Sequence, residues 1–193
     1  MPTVQKMEYL QAIKKLYESD VDIDSEDVFG FHGTSIEAIS YLAIHGRMPT
    51  TGLLGTDFHF TTRTTVGYDP YDEARKYAGI NGFRNILLAE LKAASVQLDS
   101  AFISDILLVA EEGFKCNPDI YSRLKACLKF KYDHHFDRHI ESLRSKRKGV
   151  IIGVKKRILD LKPFSGVDED LVVKVSNGLP IDYISGIDAI GKF

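Results

Sequence analysis

The fold is decided by two short stretches, and the first reads Phe29-Gly30-Phe31-His32-Gly33-Thr34-Ser35. Its apolar residues predict a buried strand that ends in a His-Gly-Thr-Ser turn. After a loop that contains two glycines, the second stretch reads Phe58-His59-Phe60-Thr61-Thr62 and predicts another short strand. Each strand carries one histidine among apolar or β-branched residues. This pair is therefore the centre around which the remaining residues are expected to fold.

The composition is that of an ordinary globular protein, with 193 residues, 44% of them hydrophobic and 27% charged. This length predicts a single domain over residues 1–193. The formal net charge of -2 gives no overall field that would favour nucleic acid or an anionic membrane. No apolar run reaches the roughly 18 residues of a membrane span, and the N-terminal sequence lacks the apolar core of a signal peptide. We therefore expect no membrane partner.

Helical periodicity and apolar runs predict the other elements of the first half. An apolar stripe from Val4 to Tyr17 predicts an amphipathic helix. A second helix follows Ser35 and is ended by Gly46. Asp72–Ala78 predicts a short helix ended by the next glycine. The nearly continuous apolar run Asn85–Leu91 predicts a buried strand.

The second half begins with a block of different character, from about residue 100 to 148, which predicts a helical insertion with one helix starting at Pro118. Strand patterns return at Gly149–Val154, Asp168–Val175 and Ile184–Ile190. Because these short strands are not separated regularly by helices, they predict an α+β fold and not a doubly wound parallel sheet.

The first motif alone permits two interpretations. His32 is either a core histidine satisfied by the backbone or a residue that hydrogen-bonds a ribose hydroxyl. Gly33 lets a ligand approach the backbone closely, so its N–H and C=O could pair with a flat amide.

The second motif and the last acidic cluster also permit two interpretations each. His59 points opposite to its two phenylalanine neighbours, since strand residues alternate. It is either an exposed polar residue or a stacking ring in a cleft.

Glu169 opens a valine-rich strand. It is either a solvated charge or a carboxylate that stabilises positive charge developing on a sugar. Asp168 and Asp170 are alternatives for this role.

Taken in this order, the motifs resemble the ADP-ribosyltransferase family, in its diphtheria-toxin and poly(ADP-ribose) polymerase branch. The first motif also resembles the opening of the rifampicin ADP-ribosyltransferases. In the second motif His59 replaces the usual tyrosine. The resemblance covers about residues 28–91 and 149–190. The first and second motifs match over Phe31–Ser35 and Phe58–Thr62. Ala74–Ala78 resembles the helix behind the nicotinamide pocket, and Asp168–Val173 resembles the strand that carries the catalytic glutamate.

The resemblance implies a split β-sheet core and a mono-ADP-ribosyltransferase. Such an enzyme uses NAD as a substrate, releases nicotinamide and transfers ADP-ribose to a protein or another macromolecular acceptor. By position, His32 would bind ribose, the Gly33 backbone the carboxamide, His59 and Tyr77 the nicotinamide ring, and Glu169 the nicotinamide ribose. The implied catalytic residues are Glu169, His32 and His59, and the implied NAD-binding residues are His32, Gly33, Thr34, His59 and Tyr77.

Two other functions remain open. His59, the His-Gly-Thr-Ser motif and Leu179–Ile184 also resemble the NAD-dependent RNA 2′-phosphotransferases, for which Arg63 and Arg84 are candidate phosphate ligands. The other is a catalytically inactive module that binds NAD or a partner. Glu169 and the Ala-x-x-Tyr-Ala helix favour the transferase.

Two further clusters receive no role in the expected reaction. His135 and His139 lie four residues apart, but zinc needs more ligands and no second Cys/His cluster exists, so we expect no metal. The basic residues of Arg144–Lys148 and Lys155–Arg157 form either a solvated face or a docking site for an acidic partner or nucleic acid.

The helical block is expected to select the acceptor. The expected location is the cytoplasm, or a host cell reached without a standard signal peptide.

Overall fold

The chain folds into an α+β structure, and the strands among its described residues form one antiparallel sheet of six strands and a second of two. The computed structural model describes residues 4–49, 57–62, 69–112, 117–161, 164–165, 170–174 and 178–190. The helices are α1 (Val4–Glu18), α2 (Ile36–His45), α3 (Pro70–Ala93), α4 (Ser100–Glu112), α5 (Pro118–Cys127) and α6 (Asp133–Ser145), with 3-10 helices at Lys156–Leu161 and Ile181–Tyr183. The strands are β1 (Val28–Ser35), β2 (Arg47–Met48), β3 (Asp57–Thr62), β4 (Gly149–Lys155), β5 (Phe164–Ser165), β6 (Asp170–Lys174), β7 (Leu179–Pro180) and β8 (Ile184–Ile190). The predicted α+β class is confirmed.

The strand that carries the first motif lies inside the larger sheet, whose order is β5-β6-β3-β1-β4-β8. It pairs antiparallel with β4 from Val28 to Ser35, with one irregularity between Val28 and Gly30. The predicted turn over His32–Ser35 is therefore wrong: these residues are extended because β4 supplies a partner for each. The helix that follows ends as predicted, since Gly46 adopts a left-handed conformation with φ of 65° and donates its N–H to Leu42 O.

The largest difference from the sequence-based expectation is α3. The predicted short helix does not end at Gly79, and the predicted strand at Asn85–Leu91 is wrong because both belong to one helix of 24 residues. That helix begins where Asp69 accepts a hydrogen bond from the Tyr71 N–H, with Pro70 in the first turn. Within this run Leu87 and Leu91 are buried on one face of the helix and Ala89 is exposed, so the predicted burial of the whole run is wrong as well.

Three apolar clusters hold the elements together. One lies between the sheet and helices α1 and α2 and includes Ile13, Leu42 and Ile152. A second joins β1 and β4 to the beginning of α3 through Phe31, Ala74, Ala78 and Ile151. The third joins α3, α4, α5 and α6 and contains Leu87, Leu91, Phe102, Ile106, Leu124, Phe136, Ile140 and Leu143.

The helical block predicted at about 100–148 is therefore confirmed as helical, and it shares its core with the second half of α3. Its status as an insertion and the single-domain organisation stay predictions. Within the described ranges, none of the helices has both the length and the apolar character needed to cross a bilayer.

Candidate functional site

The strands of the first two motifs lie next to each other in the sheet, and the next strand outward is β6. In β3, His59 pairs with Val172 of β6, and Thr61 pairs with Asp170, the first residue of that strand. Glu169 directly precedes Asp170 in the sequence but lies outside the described residues, as does the side chain of His59. The order β6-β3-β1 nevertheless places the segments assigned to the three motifs side by side.

The pairing of β1 with β3 ends at the first motif. It covers Gly30 opposite Thr62 and Phe31 opposite Thr61, whereas the pairing with β4 continues to Ser35. Over the described residues, the backbone of His32 to Ser35 thus has a strand partner on one side only. Backbone N–H and C=O groups at such an edge can pair with a ligand.

A threonine hydroxyl lies at the point where the two strands part. Thr61 Oγ1 is within hydrogen-bond distance of two carbonyl oxygens, 3.1 Å from Phe31 O and 2.9 Å from Pro70 O. Since Pro70 is the first residue of α3, this one side chain connects β3, β1 and the start of that helix.

The two faces of β1 have different neighbours. Phe31 and Gly33 face α3, since Phe31 packs with Ala74 and Ala78. His32 and Thr34 alternate to the other face, where Ile152 of β4 lies opposite His32. Both side chains are buried, with exposures of 6% and 8%.

Gly33 lies directly beneath α3. A Cβ added there would come within 1.8 Å of the Ala74 carbonyl oxygen and 2.6 Å of the Ala78 nitrogen. Only glycine allows this approach of strand and helix. The Gly33 carbonyl also accepts a hydrogen bond of 3.1 Å from Asn81 Nδ2. A protein carboxamide thus already occupies one acceptor position of the carbonyl that the resemblance assigns to the nicotinamide carboxamide.

A second asparagine of α3 continues this contact. Asn85 Nδ2 donates to Ser35 Oγ at 2.6 Å and to Glu37 Oε2 at 3.0 Å, which ties α3 to the end of β1 and the start of α2. Sequence reasoning missed both Asn81 and Asn85. Their spacing of four residues would have shown one polar helix face, had the segment been predicted as a helix.

Tyr77 lies on α3 and is half-buried, with Lys76 Nζ 5.7 Å from the centre of its ring. Because α3 packs on the Gly33 face of β1, Tyr77 and Gly33 lie on the same side of the strand. His32 lies on the opposite side. The structure thus groups Tyr77 with Gly33 and separates both from His32, while the sandwich of Tyr77 and His59 stays a prediction.

The beginning of α3 is fixed by a carboxylate from the last described strand. Tyr71 Oη donates to Asp188 Oδ2 at 2.6 Å, and Asp188 Oδ1 accepts from the Val21 N–H at 2.8 Å. Burial raises the pKa of Tyr71, and its hydrogen bond to Asp188 raises it further. Tyr71 also meets the Phe31 ring edge to face at 5.5 Å. These contacts anchor the helix against the first motif.

The histidine cluster gives no metal site among the described residues, where no group of three or more metal-binding side chains converges. His139 instead pairs with Glu90 of α3, with 2.5 Å between Nε2 and Oε2. Of the two arginines considered for phosphate binding, Arg84 lies on α3 and Arg63 lies outside the described residues.

Comparisons with protein-family models, with curated proteins and with solved structures find no match to this chain.

Proposed function

We propose that the protein is a mono-ADP-ribosyltransferase that cleaves NAD, releases nicotinamide and transfers ADP-ribose to a protein or another macromolecular acceptor. One observation carries the proposal. The strands that carry three of the four resembling segments, β1, β3 and β6, are neighbours in the sheet, and the ladder between β1 and β3 ends at the motif that begins with His32. A nicotinamide site between these strands would lie where the pairing of β1 with β3 has ended.

The proposed reaction breaks the bond between the nicotinamide nitrogen and C1′ of the ribose. The bonding electron pair leaves with the nicotinamide, which becomes neutral, and positive charge develops on the sugar. Glu169 is proposed to stabilise this charge, as a carboxylate does in glycoside cleavage. The acceptor nucleophile then forms a bond to C1′ and loses its proton. Gly33 and Tyr77 on the α3 side of β1 are proposed to hold the substrate together with His32 and Thr34 on the other side, and His59 completes the NAD-binding set.

A module that binds without catalysis is the second candidate, and the Asn81 contact favours it. If the Gly33 carbonyl kept its bond to Asn81, the nicotinamide carboxamide would have only the remaining acceptor position. NAD therefore either displaces the Asn81 amide from the Gly33 carbonyl, or does not bind with its carboxamide at this carbonyl.

The test is nicotinamide release from NAD, measured by chromatography for the parent protein and for Glu169→Ala. Removal of one charge-stabilising group is expected to lower the rate by about 10²- to 10³-fold. Asp168→Ala and Asp170→Ala are the matched controls, each removing a neighbouring carboxylate. Unchanged release in Glu169→Ala, with loss in one of the controls, would move the catalytic role to that aspartate.

The other outcomes separate the remaining functions. Absence of release together with absence of NAD binding contradicts the transferase and leaves the binding module. Loss of a 2′-phosphate from RNA in the presence of NAD identifies the phosphotransferase.

The helical block remains the proposed acceptor-selecting part. Deleting residues 100–148 is a poor test, because Phe83, Leu87 and Leu91 of α3 are buried in the same cluster. Substitutions on its exposed surface, such as Arg138→Glu on α6, keep the core intact. They are expected to lower transfer to the acceptor while nicotinamide release is unchanged.

A further inference from the structure

Arg84 carries a positive charge that no described residue neutralises. Its Nε atom is buried without a hydrogen-bond partner, and none of the ion pairs between described residues includes its guanidinium. The nearby carboxylate of Glu37 is hydrogen-bonded to the adjacent residue Asn85. Burial lowers the pKa of Arg84, since no neighbouring anion offsets the loss of hydration.

The position of Arg84 on α3 relates it to the first motif. Tyr77, Asn81 and Arg84 follow one another at spacings of four and three residues, so they share one stripe of the helix. Asn81 reaches the Gly33 carbonyl, and Arg84 lies about one helical turn, or about 5 Å, further along. In the sequence Arg84 stands between Asn81, which reaches Gly33, and Asn85, which bonds Ser35 at the end of β1, so its backbone lies beside the end of that strand.

A purely structural role accounts poorly for these observations. An arginine can bury its aliphatic stem while its charged head stays in water, but here a nitrogen of the head is itself buried. A buried polar group without a partner costs free energy. Such a cost is retained where a bound anion provides the missing partner. The guanidinium presents a rigid fork of donors that matches two oxygens of a phosphate group.

We propose that Arg84 is a phosphate-binding residue, which holds a phosphate or diphosphate group of a ligand lying along α3 beside Gly33. Identification of that group as the diphosphate of NAD rests on the proposed function. The phosphate of a nucleic-acid acceptor has the same chemistry and is the other source. The existence of the anion site itself does not require that NAD is cleaved.

The first experiment measures the dissociation constants of ADP-ribose and of inorganic pyrophosphate by calorimetry for the parent protein, Arg84→Gln, Arg84→Lys and Arg75→Gln. Loss of one charge-assisted interaction is expected to weaken binding about 10- to 100-fold in Arg84→Gln. Arg84→Lys keeps the charge without the fork and should recover part of the affinity. Arg75→Gln is the matched control, since Arg75 is an exposed arginine of the same helix beside Asp72, and it should bind within about twofold of the parent.

A thermal unfolding measurement without ligand separates this role from a structural one. Removing an unpaired half-buried charge should leave the melting temperature unchanged or raise it by about 2–4 °C in Arg84→Gln. A fall of similar size would show that Arg84 is needed for the fold and would contradict the proposal. Equal affinity of the parent and Arg84→Gln for both probes and for a phosphorylated RNA oligonucleotide, or no binding of any of these three by the parent, would overturn it as well.

The outcomes also separate this inference from the proposed function. If ADP-ribose binding depends on Arg84 but nicotinamide is never released, the phosphate site stands and the transferase does not. If nicotinamide is released but ADP-ribose binding does not depend on Arg84, the transferase proposal is supported and the phosphate site is contradicted. Affinity for a phosphorylated RNA oligonucleotide that falls in Arg84→Gln, with ADP-ribose binding unchanged, assigns the site to the acceptor's phosphate.

Discussion

The two halves of α3 pack by opposite means. The first half places Ala74 and Ala78 against glycines of the sheet, where a Cβ on Gly149 would come within 2.2 Å of the Ala78 carbonyl oxygen. The second half inserts large side chains, among them the fully buried Leu87 and Leu91, into the cluster of α4, α5 and α6. The first half thus fixes how closely two backbones approach, and the second buries apolar area.

The two halves contribute differently to the stability of α3 and to the placement of its residues at the candidate site. Full burial of a leucine contributes about 1.5–3 kcal/mol, whereas an alanine contributes much less. The second half therefore supplies most of the stabilisation of α3. The first half holds Tyr77 and Asn81 at the candidate site through the same rigid helix. Each half can be altered separately, so the comparison can be tested by substitution.

The largest effect is expected from Leu87→Ala in the second half. The substitution removes apolar contacts and leaves a cavity in a cluster where Leu87 is fully buried, so the free energy of unfolding should fall by about 2–5 kcal/mol. Urea denaturation measures this change. Leu108→Ala is the control, because Leu108 of α4 is 49% exposed and should change stability by less than about 0.5 kcal/mol. Similar losses in both variants would contradict the assigned role of the cluster.

Two glycines of α3 test close approach at the junction of the halves. A Cβ on Gly82 would come within 2.5 Å of the Lys148 carbonyl oxygen, so Gly82→Ala should lower the free energy of unfolding by about 1–2 kcal/mol, even after its gain in helix propensity. At Gly79 the nearest atom is Arg147 Nε at 3.6 Å, so Gly79→Ala should raise it by up to about 1 kcal/mol. Effects of the same sign would show that backbone approach does not distinguish the two positions.

The smallest effect is expected at the anchored beginning of the first half. Tyr71→Phe removes the hydrogen bond to Asp188 and should lower the free energy of unfolding by about 1 kcal/mol near neutral pH. The folded-state pKa of Tyr71 is raised, so the folded protein keeps this proton when the unfolded chain loses it above about pH 10. The stabilisation is therefore present below that pH and declines above it. Denaturation of both proteins at neutral and alkaline pH checks this, and a difference that grows with pH would contradict it.

Local patterns were sufficient for much of the fold. The apolar stripe of α1, the glycine that ends α2 and the helices of the 100–148 block were predicted from periodicity and end signals. The run Asn85–Leu91 misled because a short continuous apolar segment fits a buried strand and a buried helix equally well. Gly79 misled because a glycine that permits close packing within a helix looks the same in sequence as one that ends it.

The candidate site could be predicted only in its parts. His32, Gly33 and Thr34 were recognised from one motif, but their extended conformation depends on β4, which lies more than a hundred residues later in the chain. The adjacency of β1 and β3 likewise arises from pairing that no local pattern encodes. The role of Asn81 became visible only when α3 placed its amide at the Gly33 carbonyl. Arg84 was named from the sequence as a candidate phosphate ligand, but its place on the same helix stripe as Asn81 depends on α3.

The hydroxyl of Thr61 has a consequence for how the site can change shape. A threonine hydroxyl has a single hydrogen, yet Phe31 O and Pro70 O both lie within its reach. The proton is therefore shared between a strand and a helix, and any gain for one carbonyl weakens the bond to the other. A ligand that widens the gap between β1 and β3 would pull this proton toward Pro70 O. We therefore expect Thr61 to couple a separation of these strands to the first residue of α3.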